Sequence, residues 1–512
     1  MTRRALLSTY DKTGLPAFAR GLHELGFELV ASGGTAGALA EEGIPVTAVE
    51  ELTGFAEMLG HRVVTLHPAI HGGILARRDV ESDVADLERH AITPIDLVCV
   101  NLYPFERTVG RLDVTWDDAI EQIDVGGPAL LRAAAKNNAF VVAVCSPRDY
   151  DLVLDELRSG EVTEETRREL AARAFQTTAA YDAAVAAWMA AEDPFPDTLV
   201  AAFDRITHLE YGENPHQRAA YYAQRGVRTH LLARVEQVHG KPLSFNNLND
   251  LSAARLLALE LDDAACVIVK HANPCGVGVA STIDEAYAKA HGGDPVSAYG
   301  GVVVLNRPVG AELGAALAQQ FVEVLFAPDY DEAALAALAA KPATRILVDR
   351  ERRSFVPGAE RDLRRVLGGL LVQDRDADGD PLDAMSFACG SAETETWDDL
   401  LFAWTVVKHV ASNAIVIARD GQTLGIGAGQ MSRLDAVRIA LDKAREHGHD
   451  LTGAVLASDA FFPFADGPTL ALEAGVTAFV QPGGSKRDDE VIAAVSDAGA
   501  TMVFTGRRHF RH

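Results

Sequence analysis

At 512 residues the chain is too long for a single hydrophobic core, so two or three domains are expected. Its 48% apolar and 23% charged residues are those of an ordinary globular protein, and a formal charge of −26 argues against a general nucleic-acid or anionic-membrane surface. Five cysteines, Cys99, Cys145, Cys266, Cys275 and Cys389, are scattered and mostly lie in apolar runs. That fits reduced thiols in a cytoplasmic protein better than a disulfide frame, and no metal spacing appears. The apolar segment near the N-terminus is too short for a signal peptide, and no stretch could span a membrane.

In chain order, residues 5–8 read as a strand and 15–25 as a helix with Leu15, Phe18, Ala19, Leu22 and Leu25 on one face. A second strand, 27–31, ends in Ser32-Gly33-Gly34-Thr35 before a helix over 36–42. Small residues at such a junction let backbone N–H groups converge on an anion in front of a helix dipole, although a plain strand-to-helix turn also accounts for the glycines. Lys12 and Arg62 in the same unit favour phosphate. Further strands are expected at 97–100 and 140–145, with a helix over 129–135, and the alternation argues a mostly parallel sheet covered on both faces. Residues 150–191 read as helices, broken by Glu192-Asp193-Pro194-Phe195-Pro196-Asp197, where a domain boundary is expected.

Beyond residue 198, four apolar residues at 266–269 predict a strand buried on both faces, of the kind that delivers active-site loops. It runs into Lys270-His271-Ala272-Asn273-Pro274-Cys275-Gly276. The Lys-His pair offers a cation beside an imidazole able to take a proton, while a surface lysine next to a core histidine is the alternative. Strand 302–305, a helix over 333–340 and a charged surface loop at 374–380 follow. After residue 398 come a helix (400–410), a strand (414–418), a glycine turn at Gly425, a helix (433–446) and strands near Val455 and Val480. Gly425-Ile426-Gly427-Ala428-Gly429 is not a dinucleotide fingerprint: the third glycine is missing, and the acids about 20 residues on fall in a helix.

The run from Val269 to Gly276 resembles the transformylase signature of the bifunctional AICAR transformylase/IMP cyclohydrolase family. Asp11-Lys12-Thr13-Gly14, Thr65-Leu66-His67-Pro68, Asn101-Leu102-Tyr103-Pro104-Phe105, Ala134-Ala135-Lys136-Asn137, Tyr211-Gly212-Glu213-Asn214-Pro215-His216-Gln217 and Ser458-Asp459-Ala460-Phe461-Phe462-Pro463-Phe464 agree in the same order. The resemblance implies an α/β protein: a methylglyoxal-synthase-like parallel-sheet domain (1–149), a helical connector (150–197), and two cytidine-deaminase-like α/β subdomains (198–397 and 398–512). It implies formyl transfer from 10-formyltetrahydrofolate to AICAR, then dehydrative closure of the product, FAICAR, to IMP. It also implies a homodimer with no bound cofactor and no nucleic-acid or membrane partner. Its site residues would be Lys270, His271 and Asn413 for transfer, and Tyr103, Asp124 and Lys136 for cyclisation. Lys12, Ser32, Gly33, Gly34, Thr35, Arg62, Thr65 and Asn101 would hold the cyclohydrolase substrate. Tyr211, Asn247, Gln430, Arg433 and Arg508 would contact substrate in the other half, where Phe461, Phe462 and Pro463 would shelve the folate and Asp466 accept from its pterin.

His271-Ala272-Asn273-Pro274-Cys275 also half resembles the zinc deaminase signature, but Asn273 stands at the acid position and Gly278 at the second cysteine, so no metal is expected. The chain departs from the family pattern at Val64 (usually Lys), Glu210 (usually Arg), Tyr10 (usually Ser) and Asn138 (usually His). These departures keep two alternatives in play, a transformylase with an impaired cyclohydrolase domain and a non-catalytic nucleotide-binding regulator.

Overall fold

The computed structural model describes residues 3–60, 62–111, 113–227, 230–352, 360–377 and 382–512. The chain forms two compact units, residues 1–204 with 222–228, and residues 205–221 with 229–512. Part of the expected loop at 374–380 lies outside the described residues.

In the first unit β1 (Arg3–Thr9), β2 (Phe27–Ala31), β3 (Thr47–Ala48), β4 (Leu97–Asn101) and β5 (Val142–Val144) form a parallel sheet in the order β3-β2-β1-β4-β5. Alternate residues of β1 feed two cores: Ala5 and Leu7 join one cluster with Phe18 and Leu22, and Leu6 joins the other with Ile70 and Leu130. Each such fully buried leucine stabilises by roughly 1.5–3 kcal/mol. The helices expected as a connector, Tyr150–Ser159 and Glu164–Met189, belong to these same cores through Val153, Leu154, Leu157, Leu170, Ala171 and Ala174. The segment is therefore part of the first domain's fold. Strand order reverses between β1 and β4, so their C-terminal ends, at Thr9 and Asn101, open a crevice.

The second unit is built on a 12-stranded mixed sheet whose two halves repeat one succession. Helix Phe245–Ala258 leads into the hairpin Ala264–Lys270/Asn273–Ala280, helix Ile283–Gly293 and three parallel strands, Val302–Leu305, Val324–Ala327 and Arg345–Asp349. Helix Thr394–Lys408 leads likewise into the hairpin Ile415–Arg419/Gln422–Gly427, helix Arg433–Glu446 and parallel strands Val455–Ser458, Ala478–Gln481 and Thr501–Phe504. The halves meet where Gly278 pairs with Gln422. The boundary expected between 397 and 398 falls inside helix Thr394–Lys408.

Strand Ala264–Lys270 is buried on both faces, as its apolar run predicts, and it runs antiparallel to both neighbours. Its burial comes from helices on either side: Val267 and Val269 pack with Leu251 and Leu257, Cys266 and Ile268 with Ala286 and Ala290. The loop expected after Lys270 is a two-residue turn, His271-Ala272, and Asn273-Pro274-Cys275-Gly276 already belongs to the returning strand.

Candidate active sites

A cavity of about 580 Å³ opens at the β1/β4 crevice of the first unit. Its walls include Lys12, Ser32, Gly33, Gly34, Thr35, Arg62, Thr65, Asn101, Tyr103 and Asp124. The helix Gly33–Glu41 starts at the first glycine, three residues earlier than expected, so the N–H groups of Gly33 and Gly34, which precede the first helical bonds from Thr35 and Ala36 to the Ser32 carbonyl, lie at the cavity wall. A Cβ on Gly33 or Gly34 would meet nothing within 4 Å, which leaves that approach open to a ligand. Thr35 is buried and braces the crevice: its hydroxyl donates to the Thr9 carbonyl (3.1 Å) and accepts from the Thr9 amide (3.0 Å). Asn101 holds the loop bearing Lys12, accepting from the amides of Tyr10 (2.7 Å) and Asp11 (2.9 Å) and donating to the Asp11 carbonyl (2.7 Å). Arg62 is exposed and ion-paired with Glu121, also a cavity residue.

Asp124 stands at the turn before helix Gly126–Lys136, accepting from the Gly127 amide (2.7 Å), while its own amide donates to the Tyr181 hydroxyl (2.7 Å). A Cβ at Gly127 would come within 2.5 Å of Asp124 Oδ2, so this approach requires glycine. Burial raises the Asp124 carboxyl above its ordinary value, against the amides of Gly127 and Tyr103, which favour the charged form. The Tyr103 hydroxyl is raised by partial burial and by Asp124 and Tyr10. Tyr10 leans on Tyr103, with ring centroids 5.4 Å apart. Lys136 does not join this group. It is exposed at the far end of helix Gly126–Lys136, about 15 Å of helix from Gly126, and the cavity is lined without it. Val64 does line the cavity, at the position where the family pattern has lysine.

In the second unit Lys270 ends its strand with Nζ donating to the carbonyls of Tyr299 (3.1 Å) and Gly300 (2.9 Å), which leaves one of its three N–H groups for a substrate oxygen. His271 is exposed on the turn, and both turn residues are left-handed, with φ of 53° and 60°. Asn273 ties this turn to the segment that carries Asn413, donating to the His271 carbonyl (3.2 Å) and accepting from the Ala411 amide (2.9 Å). Asn413 donates to the Gln430 carbonyl (2.8 Å) and accepts from Arg433 (2.7 Å).

Several residues expected to touch substrate are held inside the protein. Arg433 is 8% exposed, and its guanidinium reaches Asp459 (2.6 Å), Ser458 (2.7 Å) and Asn413, so it positions Asn413. Asn247, 2% exposed, accepts from the Ser244 amide (3.1 Å) at the start of its helix and donates to Glu323 (2.8 Å). Phe462 is a core residue packed among Leu441, Leu456 and Phe479, so of the expected folate shelf only Phe461 and Pro463 are exposed. Asp466, exposed, opens helix Asp466–Glu473. Gln430 and Tyr211 are half-buried, and Arg508 is exposed over the Phe510 ring at 4.6 Å. Glu210, which would repel a phosphate, lies 3.7 Å from the buried Arg345. Motif reading missed Asp250, whose carboxyl accepts from the turn amide of Ala272 (2.7 Å). Its signal was an acid in the Asn-rich segment 241–250.

Among the described residues, no group of three or more His, Cys, Asp or Glu is placed to hold a metal ion, and no helix is long and apolar enough to cross a membrane.

Residues 134–443 match the AICARFT/IMPCHase bienzyme family, and residues 14–129 match the MGS-like domain. Three similar proteins each carry the name bifunctional purine biosynthesis protein PurH. That of Anoxybacillus flavithermus is 49% identical, covering 100% of both chains. That of Chloroflexus aurantiacus is 51% identical over 99% of this chain and 98% of the relative, and that of Bacillus mycoides 47% identical over 100% of both. With an MGS-like sheet bearing an anion-ready cavity and a second unit bearing the Lys270-His271 turn, the chain belongs to the AICARFT/IMPCHase bienzyme family.

Proposed function

We propose that formyl transfer in this bifunctional AICAR formyltransferase and IMP cyclohydrolase of purine biosynthesis rests on Lys270 and His271, and ring closure on Tyr103 and Asp124. The AICAR amine is conjugated with a carboxamide and is a poor nucleophile, so it must lose a proton as its nitrogen attacks the formyl carbon of 10-formyltetrahydrofolate. His271, exposed on its turn, takes that proton and returns it to the departing folate nitrogen. The remaining N–H of Lys270 stabilises the oxyanion of the tetrahedral intermediate. In the first unit the FAICAR carboxamide nitrogen attacks its own formyl group, and the carbinolamine then loses water. A carboxyl raised by burial beside a tyrosine hydroxyl suits that proton traffic. Lys12, Arg62 and the first turn of Gly33–Glu41 receive the phosphate, for which Arg62 must exchange Glu121.

The observation that carries this reading is the single cavity wall shared by Lys12, Gly33, Gly34, Tyr103 and Asp124. A homodimer acting in the cytoplasm with 10-formyltetrahydrofolate as co-substrate and no bound cofactor completes the proposal, supported by the family resemblance. The test is to incubate purified protein with AICAR and 10-formyltetrahydrofolate and to separate FAICAR from IMP. His271→Ala should abolish formyl transfer and spare cyclisation of supplied FAICAR; transfer at near wild-type rate would remove His271 from the proton-transfer role.

A further inference from the structure

The two halves of the second unit use one device twice. Each hairpin closes on a two-residue turn in which both residues have positive φ, His271-Ala272 (53° and 60°) and Asp420-Gly421 (53° and 64°). Such a turn matches the twist of paired strands and normally takes Asn or Asp followed by Gly, because a Cβ is disfavoured in the left-handed region. Asp420-Gly421 conforms. His271-Ala272 does not, with a bulky ring at one position and a methyl at the other.

Each turn is held by an aspartate at the same place in the preceding helix. Asp399, in helix Thr394–Lys408, accepts from the amides of Asp420 (2.8 Å) and Gly421 (2.9 Å). Asp250, in helix Phe245–Ala258, accepts from the amide of Ala272 (2.7 Å), and the His271 amide bonds it as well. Each is the sixth residue of its helix, and the same 21 residues separate Asp250 from His271 and Asp399 from Asp420. Both carboxyls are raised by burial and lowered by the turn amides they accept from. The duplicate thus shows the clamp in a purely structural setting, on a turn whose residues already favour the conformation.

We infer that Asp250 is a positioning residue for formyl transfer, holding the His271-Ala272 turn in a left-handed conformation its own residues disfavour, so that the His271 ring stands where it can reach the AICAR amine. The inference rests on the role given to His271 above. Without the clamp the turn spends part of its time in right-handed or opened conformers, and the ring leaves its place. The loss falls on the chemical step rather than on substrate affinity.

The experiment compares steady-state formyl transfer and thermal melting in Asp250→Asn, Asp399→Asn, His271→Ala and the double variant Asp250→Asn/Ala272→Gly. Asp250→Asn should lower kcat by about 10- to 100-fold with KM for AICAR changed by less than about 3-fold. Asp399→Asn should lower the melting temperature and leave kcat within about 3-fold of wild type. Glycine at 272 accepts the left-handed conformation without help, so the double variant should recover at least about 5-fold in kcat over the single one. Where the single variant does not accumulate in folded form, the double variant carries the test, expected to be folded and active. Equal effects of Asp250→Asn and Asp399→Asn on kcat, or a folded double variant no more active than His271→Ala, would overturn the inference. Full activity in His271→Ala would instead overturn the role of His271, a separate result read from a separate variant.

Discussion

Val64 places two methyl groups in the wall of the first unit's cavity beside Thr65, where the family pattern has a lysine. Among the described residues no nearby side chain replaces that charge in kind: Arg62 is occupied by Glu121, and Lys12 reaches the carbonyls of Thr9 and Tyr10 at 3.4 Å. Val64→Lys should therefore raise cyclohydrolase kcat/KM by about 10-fold or more, about 1.4 kcal/mol of transition-state stabilisation. Measuring kcat and KM separately distinguishes a group used in the chemistry from one that only binds, and no gain in either would mean the charge is not missed. Asp124 supports a prediction with a sign. Its native carboxyl is raised by burial, so its proton stabilises the fold fully below the ordinary value of 3.8, and that contribution is lost as pH rises through the raised native value. Asp124→Asn keeps an acceptor for the Gly127 amide without the buried charge. It should melt above wild type at pH 7, with the gap closing as pH falls below the native carboxyl's value, while ring closure falls by about 100-fold or more. A variant that melts lower than wild type at pH 7 would refute the assignment of burial as the dominant cause.

At the scale of elements, the glycines that first suggested a loop turn out to join a strand to a helix. Gly425 and Gly427 lie in strand Gln422–Gly427, and a Cβ on either would stand 2.1 Å or 2.0 Å from the carbonyl oxygens of Ala440 or Ala436 in helix Arg433–Glu446. Backbone oxygens in a helix cannot swing aside, so Gly427→Ala should cost about 1–3 kcal/mol or more in denaturant unfolding. Arg433, on the same helix, neutralises the fully buried Asp459 and holds Asn413. Arg433→Ala leaves that carboxylate uncompensated and should cost about 3–5 kcal/mol, and lysine should not restore it because a point charge cannot reach Asp459, Ser458 and Asn413 together. These elements also mark what could be read in advance. Hydrophobic period placed the strands it named, such as Phe27–Ala31 and Ile415–Arg419, within a few residues, but left others unnamed, among them strands Val324–Ala327 and Arg345–Asp349 and helices Phe245–Ala258 and Ile283–Gly293, while motifs placed the cavity residues of the first unit. Pairing partners are non-local, however, so the apolar run at 266–269 announced burial on both faces but not the antiparallel pairing of its strand with both neighbours. The places of Lys136 at the far end of its helix and of Phe462 in the core were not legible for a related reason: a motif names residues but does not say which end of a helix or which side of a turn they occupy.

At the scale of the whole molecule, the residues proposed for the two chemistries belong to two separately compact units, each with its own cores. Variants in different units should act independently, because sites that share no partners have additive effects. His271→Ala should therefore release no FAICAR but close the ring of supplied FAICAR normally, and Asp124→Asn should accumulate FAICAR from AICAR and 10-formyltetrahydrofolate. The consequence for the whole chain is a complementation in the test tube. Neither variant alone makes IMP from AICAR at an appreciable rate, yet a mixture should do so, since FAICAR formed on one molecule can dissociate and enter the intact cavity of another. IMP should appear after a lag that shortens as the His271→Ala protein is increased, and adding FAICAR should remove the lag. The lag matters as much as the yield: its dependence on the second protein shows that the intermediate passes through solution. A mixture that makes no IMP, with Asp124→Asn forming FAICAR only in an amount equal to the enzyme present, would mean that the intermediate is not released, and that the two units must work on the same molecule.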